Sequence, residues 1–533
     1  MKHGDWDDVT NWYGGRLQQC ARVTIPTDAS PDTPFRLTLE KIEMKKSHFF
    51  GRKLGSRHLL QFKLVDKVED AMDFMSQKFV LCGRIFVAFG IKDGTVHLIE
   101  TNENYGRKSS IAQGDHYRMA FMDFINWFNP MHLNGSKTLS KWVARFDLGL
   151  STSLPVVRFA PEHIAIIPDE HPPNAPRPIP TEQVLTDGCG YMNKAALAAI
   201  GKQIGAKDGV PTAVQGRILG SKGLWTLHPT NTLLSAPPRI WIRDSQLEVN
   251  LVTDYTPALL SQLDKAHFVF ILVAPAHVST PIQLNKDAII NLAHNGVPKD
   301  VIVKLMKDSL EEELAPYVQW EENNSMSLLW NQVDKVGYVT MTRIQRTLYE
   351  SLRQLITNVM RKFISEYHIN VQKSADAFLI PDPWNVLKPG QIFFKSSKLL
   401  KDSLEDDNPN YILGDVLLYR NPCRLPSDIQ KVTAVKEPLL EFYVDVIVLS
   451  IQEDSSAANY DRDTGICIFD EVLVQNFTNS QLCTPPANFE EVNFESKDRI
   501  PTVKVFYQQT SSFTPHDIQV QSCTEFQKVW SCG

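Results

Sequence analysis

The sequence predicts a mixed α/β (α+β) fold in which two β-rich regions are joined by a helical connector. In the first region, residues 181–285, short apolar runs such as 268–273 alternate with glycine and proline turns, as a compact barrel requires. In the connector, residues 286–375, apolar side chains between 344 and 363 recur at three- or four-residue spacing, the period of a helix. Strand-like runs return over residues 376–480, which we expect to form the second β-rich region.

Two segments precede the first β-rich region. Residues 1–165 mix strand-like pieces, such as 82–90, with an amphipathic helix predicted near 140–148, so we expect an N-terminal mixed α/β region. Residues 166–180 are predicted to be a linker, because six of the thirteen residues in 168–180 are proline, which excludes regular helix or ladder. A proline-rich stretch can also serve as a ligand for a partner protein.

Length and composition are those of an ordinary globular protein. The 533 residues suggest three or four domains, and 43% hydrophobic with 22% charged residues supply a sizeable core. Because the net charge is −6, the surface as a whole does not favour nucleic acid, and any nucleic-acid-binding surface must be a local channel. The eight cysteines contain no C-x-x-C pair, which leaves a zinc ribbon and a disulfide framework unsupported.

The sequence shows no evident targeting or membrane segment. Residues 1–15 are polar and lack the apolar core of a signal peptide. The longest apolar run, residues 268–276, is too short to cross a bilayer. We therefore expect an intracellular protein, in the nucleus or the cytoplasm, without a membrane partner.

The most informative segment is residues 457–463, AANYDRD, here called the aspartate loop. Asn459, Asp461 and Asp463 are alternate residues, so an extended or tightly turned backbone points their side-chain oxygens toward one spot. Such oxygens are the ligands that Mg²⁺ prefers, and carboxylates gathered between strands can position two metal ions for in-line attack on phosphorus. The loop therefore indicates phosphoryl transfer.

Two other interpretations of the aspartate loop were weighed. The apolar runs on either side of it, residues 442–450 and 465–474, both read as strands. An EF-hand calcium loop would need helices there, and it would need glycine at its sixth position, where this chain has Thr464. The calcium interpretation is therefore disfavoured, whereas a plain solvated turn stays open.

Independent support comes from residues 211–225, PTAVQGRILGSKGLW, here called the basic block. Arg217 and Lys222 stand among three glycines, which allow backbone to approach a ligand, and the two cations supply the counter-charge for phosphate oxygens. The block is not a P-loop, because Ser221 precedes the lysine where glycine is required and Gly223 follows it where Ser or Thr is required.

Together the two segments resemble the eukaryotic RNA-directed RNA polymerases of RNA silencing, most closely the fungal branch. The resemblance implies two double-psi β-barrels, one over residues 181–285 with the basic block and one over 376–480 with the aspartate loop. Further fragments occur in the family's order: NPMHLNGSKTLSKWVARFDLGLST from Asn129, VLTDGCGYMN from Val184, PRIWIRDSQ from Pro238, LNKDAIINLAHNGVP from Leu284, PDPWNVLKPGQIFF from Pro381 and LLYRNPCRLPSDIQKVTAV from Leu417.

The resemblance also implies roles for individual residues. The family's loop reads GGDYDGD, so Asn459, Asp461 and Asp463 stand at its three metal-binding positions, with Mg²⁺ as the cofactor. Arg217 and Lys222 match basic residues that face the incoming nucleotide or the growing phosphodiester. We expect the basic block and the aspartate loop to meet across a shared cleft.

This chain departs from the family pattern at several positions. Asn459 replaces an aspartate, Arg462 replaces a glycine, and Leu247 and Glu248 stand where the family commonly has a lysine soon after a serine. One unit charge roughly 6 Å away is worth about 3 kcal/mol at an effective dielectric of about 20, so metal binding should be weaker. An Arg462 side chain that extends into solvent would change little. Residues 481–533 are expected to be a truncated C-terminal tail.

Three functions follow as hypotheses. The first is an RNA-directed RNA polymerase that copies a single-stranded RNA template with nucleoside triphosphates into double-stranded RNA, in RNA silencing. The second is a catalytically weakened relative that acts as a scaffold for RNA or for silencing-pathway proteins. The third is a nonfunctional remnant, which the sequence does not separate from the second.

Overall fold

The computed structural model describes most of the chain between residues 16 and 481. The described ranges are 16–24, 35–64, 78–101 without 82 and 93, 119–318 without 174, 176, 178, 180–182, 207 and 208, 350–398 without 351, 352, 362, 364, 366 and 368, 410–452 and 464–481. These residues form two compact units. Unit 1 holds the described residues up to Glu170 together with Asp187–Pro275, and unit 2 holds those of His171–Thr186 and those from Ala276 onward.

Within its described residues, unit 1 contains strands β1–β15 and helices α1–α6. The strands are β1 (Arg16–Gln18), β2 (Cys20–Thr24), β3 (Arg36–Leu39), β4 (Glu43–Lys45), β5 (Leu59–Leu64), β6 (Phe79–Leu81), β7 (Arg84–Lys92), β8 (Thr95–Glu100), β9 (Leu154–Arg158), β10 (Ile164–Ile167), β11 (Cys189–Met192), β12 (Ala213–Ile218), β13 (Ser221–Leu227), β14 (Ile240–Arg243) and β15 (Val269–Pro275). The helices are α1 (Phe49–Leu54), α2 (Phe121–Phe128), α3 (Leu139–Ala144), α4 (Asp147–Leu150), α5 (Lys194–Ile204) and α6 (Pro257–Leu260).

The N-terminal part of unit 1 is a six-stranded sheet with helices beside it. Its strand order is β3-β2-β5-β8-β7-β6, in which only β2 and β5 are parallel. The core between the sheet and helices α1 and α2 contains the rings of Phe50, Phe89 and Phe124, whose centroids lie 5.2–5.5 Å apart at steep interplanar angles. Such edge-to-face contacts are the favoured geometry of buried aromatic pairs. The mixed α/β character predicted for this region is confirmed.

The second sheet of unit 1 has seven strands in the order β10-β14-β11-β13-β12-β15-β9. Its two edge strands, β9 and β10, are consecutive in the chain, and a turn with the 3-10 helix Pro161–His163 separates them. One interrupted strand therefore forms both edges, so the sheet closes through the continuous backbone. The start of the proline-rich stretch is bound to strand β14 of this sheet. The Arg243 guanidinium donates to the Pro168 carbonyl (2.8 Å) and to the Glu170 carboxylate (2.9 Å).

Within its described residues, unit 2 contains strands β16–β23 and helices α7–α9. The strands are β16 (Ile282–Leu284), β17 (Ile369–Val371), β18 (Ser374–Pro381), β19 (Gln391–Lys395), β20 (Gly414–Arg420), β21 (Gln430–Ala434), β22 (Val446–Leu449) and β23 (Thr464–Ile468). The helices are α7 (Lys286–His294), α8 (Lys299–Val318) and α9 (Glu471–Asn476). Strands β18–β23 form a closed barrel in the order β18-β22-β19-β21-β20-β23.

The two rings of strands share one topology when β9 and β10 are counted as a single strand. The strands are numbered in chain order, so β9–β10 and β18 are first and β15 and β23 are sixth. In both rings the first strand is parallel to the fifth, and the second is parallel to the fourth. The second strand is antiparallel to the fifth, the third is antiparallel to the fourth and to the sixth, and the sixth is antiparallel to the first. The β12–β13 hairpin of unit 1 therefore corresponds to the β20–β21 pair of unit 2. Likewise the β14–β15 connection corresponds to the β22–β23 connection, which contains the aspartate loop.

The helical connector is confirmed where it is described. Helix α7 begins at the N-cap Asn285, whose side chain accepts from the Ala288 amide at 2.8 Å. Residues 350, 353–361, 363 and 365 are also helical, and Phe363 among them is buried. Met360, which we placed on the apolar stripe, is 41% exposed and lies off it. The earlier part of the predicted stripe, Ile344, Leu348 and Leu352, lies outside the described residues.

The strand prediction for residues 465–474 was wrong in its second half. Strand β23 ends at Ile468, and helix α9 begins three residues later, at Glu471. The Asp470 side chain accepts from the Leu473 amide at 3.0 Å, which is an N-cap contact that starts a helix. A continuous apolar run fits a buried strand and a short buried helix equally well, so periodicity could not separate them.

The barrel core of unit 2 gives a stability prediction. Ile447 on β22 is 0% exposed and packs in the barrel interior. Replacing it by alanine should cost about 2–5 kcal/mol through lost contacts and a cavity. Val472→Ala on α9, where the side chain is 50% exposed, is the control and should cost much less. Hydrogen exchange of peptides from β18–β23 measures both, and equal protection in the two variants would contradict the assigned core.

Candidate functional site

The aspartate loop lies outside the described residues. Asn459, Asp461, Arg462 and Asp463 all fall between β22 and β23, so their metal-binding role stays a prediction. Within the part of the chain that the structure describes, no three His, Cys, Asp or Glu side chains gather as a metal site would require. The geometry available for the candidate site is therefore that of the basic block in unit 1.

The basic block forms the β12–β13 hairpin. Arg217 and Lys222 are direct cross-strand partners in its register, so both side chains lie on one face of the sheet. Leu219 and Gly220 form the two-residue turn with φ of 51° and 73°. Two positive φ angles in sequence are typical of the type I′ turn, whose twist matches antiparallel strands. The turn therefore places the two predicted basic residues opposite each other.

Leucine is an unusual residue for a left-handed position, and its surroundings explain why it is held there. Leu219 is only 2% exposed, and its amide donates to the His267 carbonyl at 3.0 Å. Burial of the apolar side chain and this hydrogen bond offset the strain of the positive φ. The hairpin tip is consequently anchored inside unit 1.

Gly220 fixes a second contact of the turn. Its carbonyl accepts from the amides of Glu248 (3.2 Å) and Val249 (3.0 Å). A Cβ at Gly220 would lie 2.3 Å from the Val249 carbonyl oxygen, which no side chain could tolerate without movement of the backbone. Ser221 and Leu247 form an antiparallel bridge beside it. The segment that carries Glu248 is therefore docked along the hairpin.

The other two glycines of the block also serve contacts within the protein. A Cβ at Gly216 would lie 2.2 Å from the Phe270 ring, and one at Gly223 would lie 2.4 Å from the Gly188 carbonyl oxygen. We predicted that these glycines allow backbone to approach a ligand. In the structure the groups that approach them are protein backbone and side chains.

The Arg217 side chain is largely enclosed. Its Nη1 donates to the Leu148 carbonyl at 3.1 Å, while its buried Nε has no hydrogen-bond partner. Burial lowers the pKa of Arg217 to about 10, and the nearby Asp147 carboxylate opposes that shift. Arg217 therefore remains a cation at neutral pH.

Glu248 lies at the centre of a group of cations, here called the Glu248 cluster (Lys137, Arg145, Lys222 and Glu248). Its Oε1 lies 2.9 Å from Lys222 Nζ, and its Oε2 lies 2.5 Å from Arg145 Nη2. Its backbone carbonyl accepts a hydrogen bond from Lys137 Nζ. Burial lowers the pKa of Lys137, as does the positive charge of Arg145. The Lys222 amine of the basic block is thus engaged by an internal carboxylate.

Sequence reasoning missed most of this cluster. It noted Glu248 only as a lost phosphate contact, and it assigned no role to Lys137 or Arg145. Both cations lie in the fragment that begins at Asn129, one of those that resemble the polymerase family. Nothing in that fragment indicated that it packs against the segment of Glu248.

A small, partly open pocket lies at the hairpin tip. Its lining includes Phe49, Phe128, Arg217, Leu219 and His267, so it is mostly apolar with few polar groups. Burial lowers the pKa of His267 to about 4, although the neighbouring Asp264 carboxylate raises it. The imidazole is therefore neutral at physiological pH.

Comparison with protein families finds one model over nearly the whole chain. The model described as RNA dependent RNA polymerase matches residues 32–528. Among curated proteins, the "Probable RNA-dependent RNA polymerase SHL2" of Oryza sativa subsp. japonica is 24% identical over 363 residues, which cover 64% of this chain and 28% of that protein. The "RNA-dependent RNA polymerase 1" of Arabidopsis thaliana is 22% identical over 376 residues, covering 66% of this chain and 30% of that protein.

A solved structure has the same fold. The "RNA dependent RNA polymerase QDE-1 from Thielavia terrestris" aligns over 97% of this chain and 60% of its own, with a TM-score of 0.75 and 21% identity. The likeness confirms the predicted fold, a mixed α/β chain built around two double-psi β-barrels. The chain spans less than a third of the length of the two plant relatives named above.

The hairpin tip gives a second stability prediction. Gly220→Ala should destabilise unit 1 by about 1–3 kcal/mol more than Gly205→Ala, through the clash with the Val249 carbonyl. Gly205 is the matched control, because it also has a positive φ (65°) but has nothing within 4 Å of an added Cβ. Urea unfolding of both variants measures the difference in the free energy of unfolding. Equal decreases in the two variants would contradict the close approach of the Val249 carbonyl to Gly220.

The buried imidazole gives a pH prediction. As pH falls below about 6.5, an unfolded chain protonates His267 while the folded one does not until about pH 4. The free energy of unfolding should therefore be lower at pH 5 than at pH 7, by about 2 kcal/mol from this group alone. Urea unfolding at the two pH values should show a smaller loss in His267→Gln than in the original chain. A loss of equal size in the two proteins would contradict a neutral buried imidazole.

Proposed function

The chain belongs to the RNA dependent RNA polymerase family, and we propose that it catalyses RNA-directed RNA synthesis. The proposed reaction copies single-stranded RNA with nucleoside triphosphates and yields double-stranded RNA, within RNA silencing. The observation that carries the proposal is the basic hairpin, in which Arg217 and Lys222 face the same side of a strand ring whose topology is repeated in unit 2.

The repeated topology supports a role for the aspartate loop. In unit 2 the loop occupies the connection between the fifth and sixth strands of the ring. The equivalent connection of unit 1 carries Glu248, whose backbone docks on the basic hairpin. Each ring thus has an acidic residue on the same connection, which is consistent with a duplicated scaffold adapted for different charges.

We propose that Asp461 and Asp463, with Asn459, are the ligands of Mg²⁺. The donor set fits a hard dication, because all three side chains offer oxygen, but it has one anion fewer than three aspartates. The metal would supply charge neutralisation for phosphoryl transfer. Arg217 and Lys222 are proposed to orient the triphosphate and to compensate its negative charge, since such transfer depends largely on positioning and electrostatics.

A second candidate function is a catalytically weakened relative that binds RNA or silencing-pathway proteins as a scaffold. A specific observation favours it beyond the loop substitutions: Lys222 is paired with Glu248 at 2.9 Å, so one of the two cations proposed for triphosphate is already neutralised. Arg462 adds a positive charge within the aspartate loop. The Lys222–Glu248 pair acts against binding of the triphosphate, and the charge of Arg462 acts against binding of Mg²⁺.

Location and membrane association add little to the choice between these functions. Among the helices that the structure describes, none is long and apolar enough to cross a membrane. We propose that the protein acts in the nucleus or the cytoplasm, where silencing RNA is available. Both candidate functions are compatible with either place.

Restoring the family's charges in the aspartate loop tests the proposed activity. The double variant Asn459→Asp, Arg462→Gly should make at least about tenfold more RNA product than the original chain, because one anion is regained and one cation removed. The measurement is incorporation of labelled nucleotide on single-stranded RNA in Mg²⁺.

Asp461→Ala in the double variant is the control, and it should abolish the gained synthesis. Equal and robust synthesis by the original chain and the double variant would contradict the charge argument. No synthesis by either, together with tight RNA binding, would favour the scaffold.

A further inference from the structure

The Glu248 cluster has the composition of an anion site that is already filled. Lys222 and Arg145 approach the two oxygens of one carboxylate, as two cations approach a phosphate. The carboxylate is well enclosed, since the Glu248 side chain is 10% exposed, while those of Lys222 and Arg145 are 32% and 24% exposed. Both cations are therefore partly reachable from solvent.

We propose that Glu248 is an internal competitor for the phosphate groups of a nucleoside triphosphate, and that it holds Lys222 and Arg145 in an autoinhibited arrangement. The inference rests on the proposed function, because it concerns the cation assigned there to triphosphate. It identifies Glu248 as a positioning residue, since the carboxylate acts on ligand only through the two cations.

The backbone makes this competition intramolecular and persistent. The amides of Glu248 and Val249 donate to the Gly220 carbonyl, and Lys137 Nζ donates to the Glu248 carbonyl. The main chain at Glu248 is thus held on both sides, by the hairpin turn and by Lys137. A carboxylate fixed in this way is present at a high effective concentration beside Lys222, which a free anion must overcome.

The cluster also retains positive charge for a ligand. Counting the side chains of the cluster, three cations surround one carboxylate, so removal of the carboxylate charge leaves an uncompensated basic surface. Arg217 lies directly across the hairpin from Lys222, so its positive charge adds to that of the cluster. Partly enclosed cations that lose their partner interact more strongly with an incoming anion.

The alternative is that Glu248 braces Lys222 in a productive position. A brace and a competitor make opposite predictions for Glu248→Gln, which removes the charge and keeps the shape. Loss of a brace would weaken triphosphate binding, whereas loss of a competitor would strengthen it.

The test is binding of ATP to the full chain by isothermal titration calorimetry, with EDTA present and no RNA. We expect Glu248→Gln to bind ATP about tenfold more tightly than the original chain at low salt. Adding Lys222→Met to Glu248→Gln should remove most of that gain, because Lys222 is one of the two cations that Glu248→Gln releases. The matched control is Glu170→Gln, which removes the same charge from an ion pair with Arg243 elsewhere in unit 1.

ATP binding by Glu248→Gln that is unchanged or weaker than in the original chain would overturn the proposal. A gain in ATP binding that persists when Lys222→Met is added to Glu248→Gln would also overturn the proposal, because Lys222 would not be the residue released. If Glu248→Gln does not fold, Glu248→Asp shortens the carboxylate while keeping its charge, and we expect a gain of about threefold; no gain would count against the proposal.

The binding experiment is independent of RNA synthesis. A tenfold gain in ATP binding with no synthesis by the aspartate-loop double variant would reject the proposed activity and retain the competitor role. Synthesis by the aspartate-loop double variant without any gain in ATP binding by Glu248→Gln would retain the proposed activity and reject the competitor role.

Discussion

The docking of the Glu248 segment on the β12–β13 hairpin is the contact on which the candidate site depends. It requires a glycine at position 220, because the Val249 carbonyl lies where a Cβ would be. It also requires the left-handed turn at Leu219, which is held by burial of the leucine and by the His267 carbonyl. These contacts place the Glu248 carboxylate within ion-pair distance of Lys222 and Arg145. The charge state of the basic surface is therefore set by local packing, and not only by which residues are basic.

The repeated strand topology explains how one chain presents a basic and an acidic segment on similar scaffolds. Parallel and antiparallel pairs follow the same order in both rings, with β9 and β10 serving as one interrupted strand in unit 1. In such a ring the connections between strands carry the variable chemistry, while the strands supply the core. Substitutions in a connection can therefore weaken or silence chemistry and leave the fold intact. Asn459, Arg462 and Glu248 all lie in connections of this kind.

Sequence reasoning reached the fold class because apolar periodicity and turn residues survive in each β-rich region, and because long fragments resemble one family. It found Arg217 and Lys222 by charge and glycine content. It did not predict that they face each other, since Leu219-Gly220 is not a typical hairpin turn sequence. The helix from Glu471 was missed because an apolar run carries no period. The ion pairs of Glu248 were beyond reach, because contacts between distant segments depend on side-chain positions that one sequence does not encode locally.

The most direct test of the account is the chemical reactivity of the Lys222 amine. Brief labelling with an amine-selective reagent, read by mass spectrometry, compares Lys222 with exposed Lys388 in the same molecule. An amine that is engaged in an ion pair with a carboxylate is less accessible to the reagent than an exposed one, so it reacts slowly. We predict that the Lys222 to Lys388 labelling ratio is low in the original chain and rises several-fold in Glu248→Gln. A ratio that is the same in both proteins would contradict the claim that Glu248 restrains the basic hairpin.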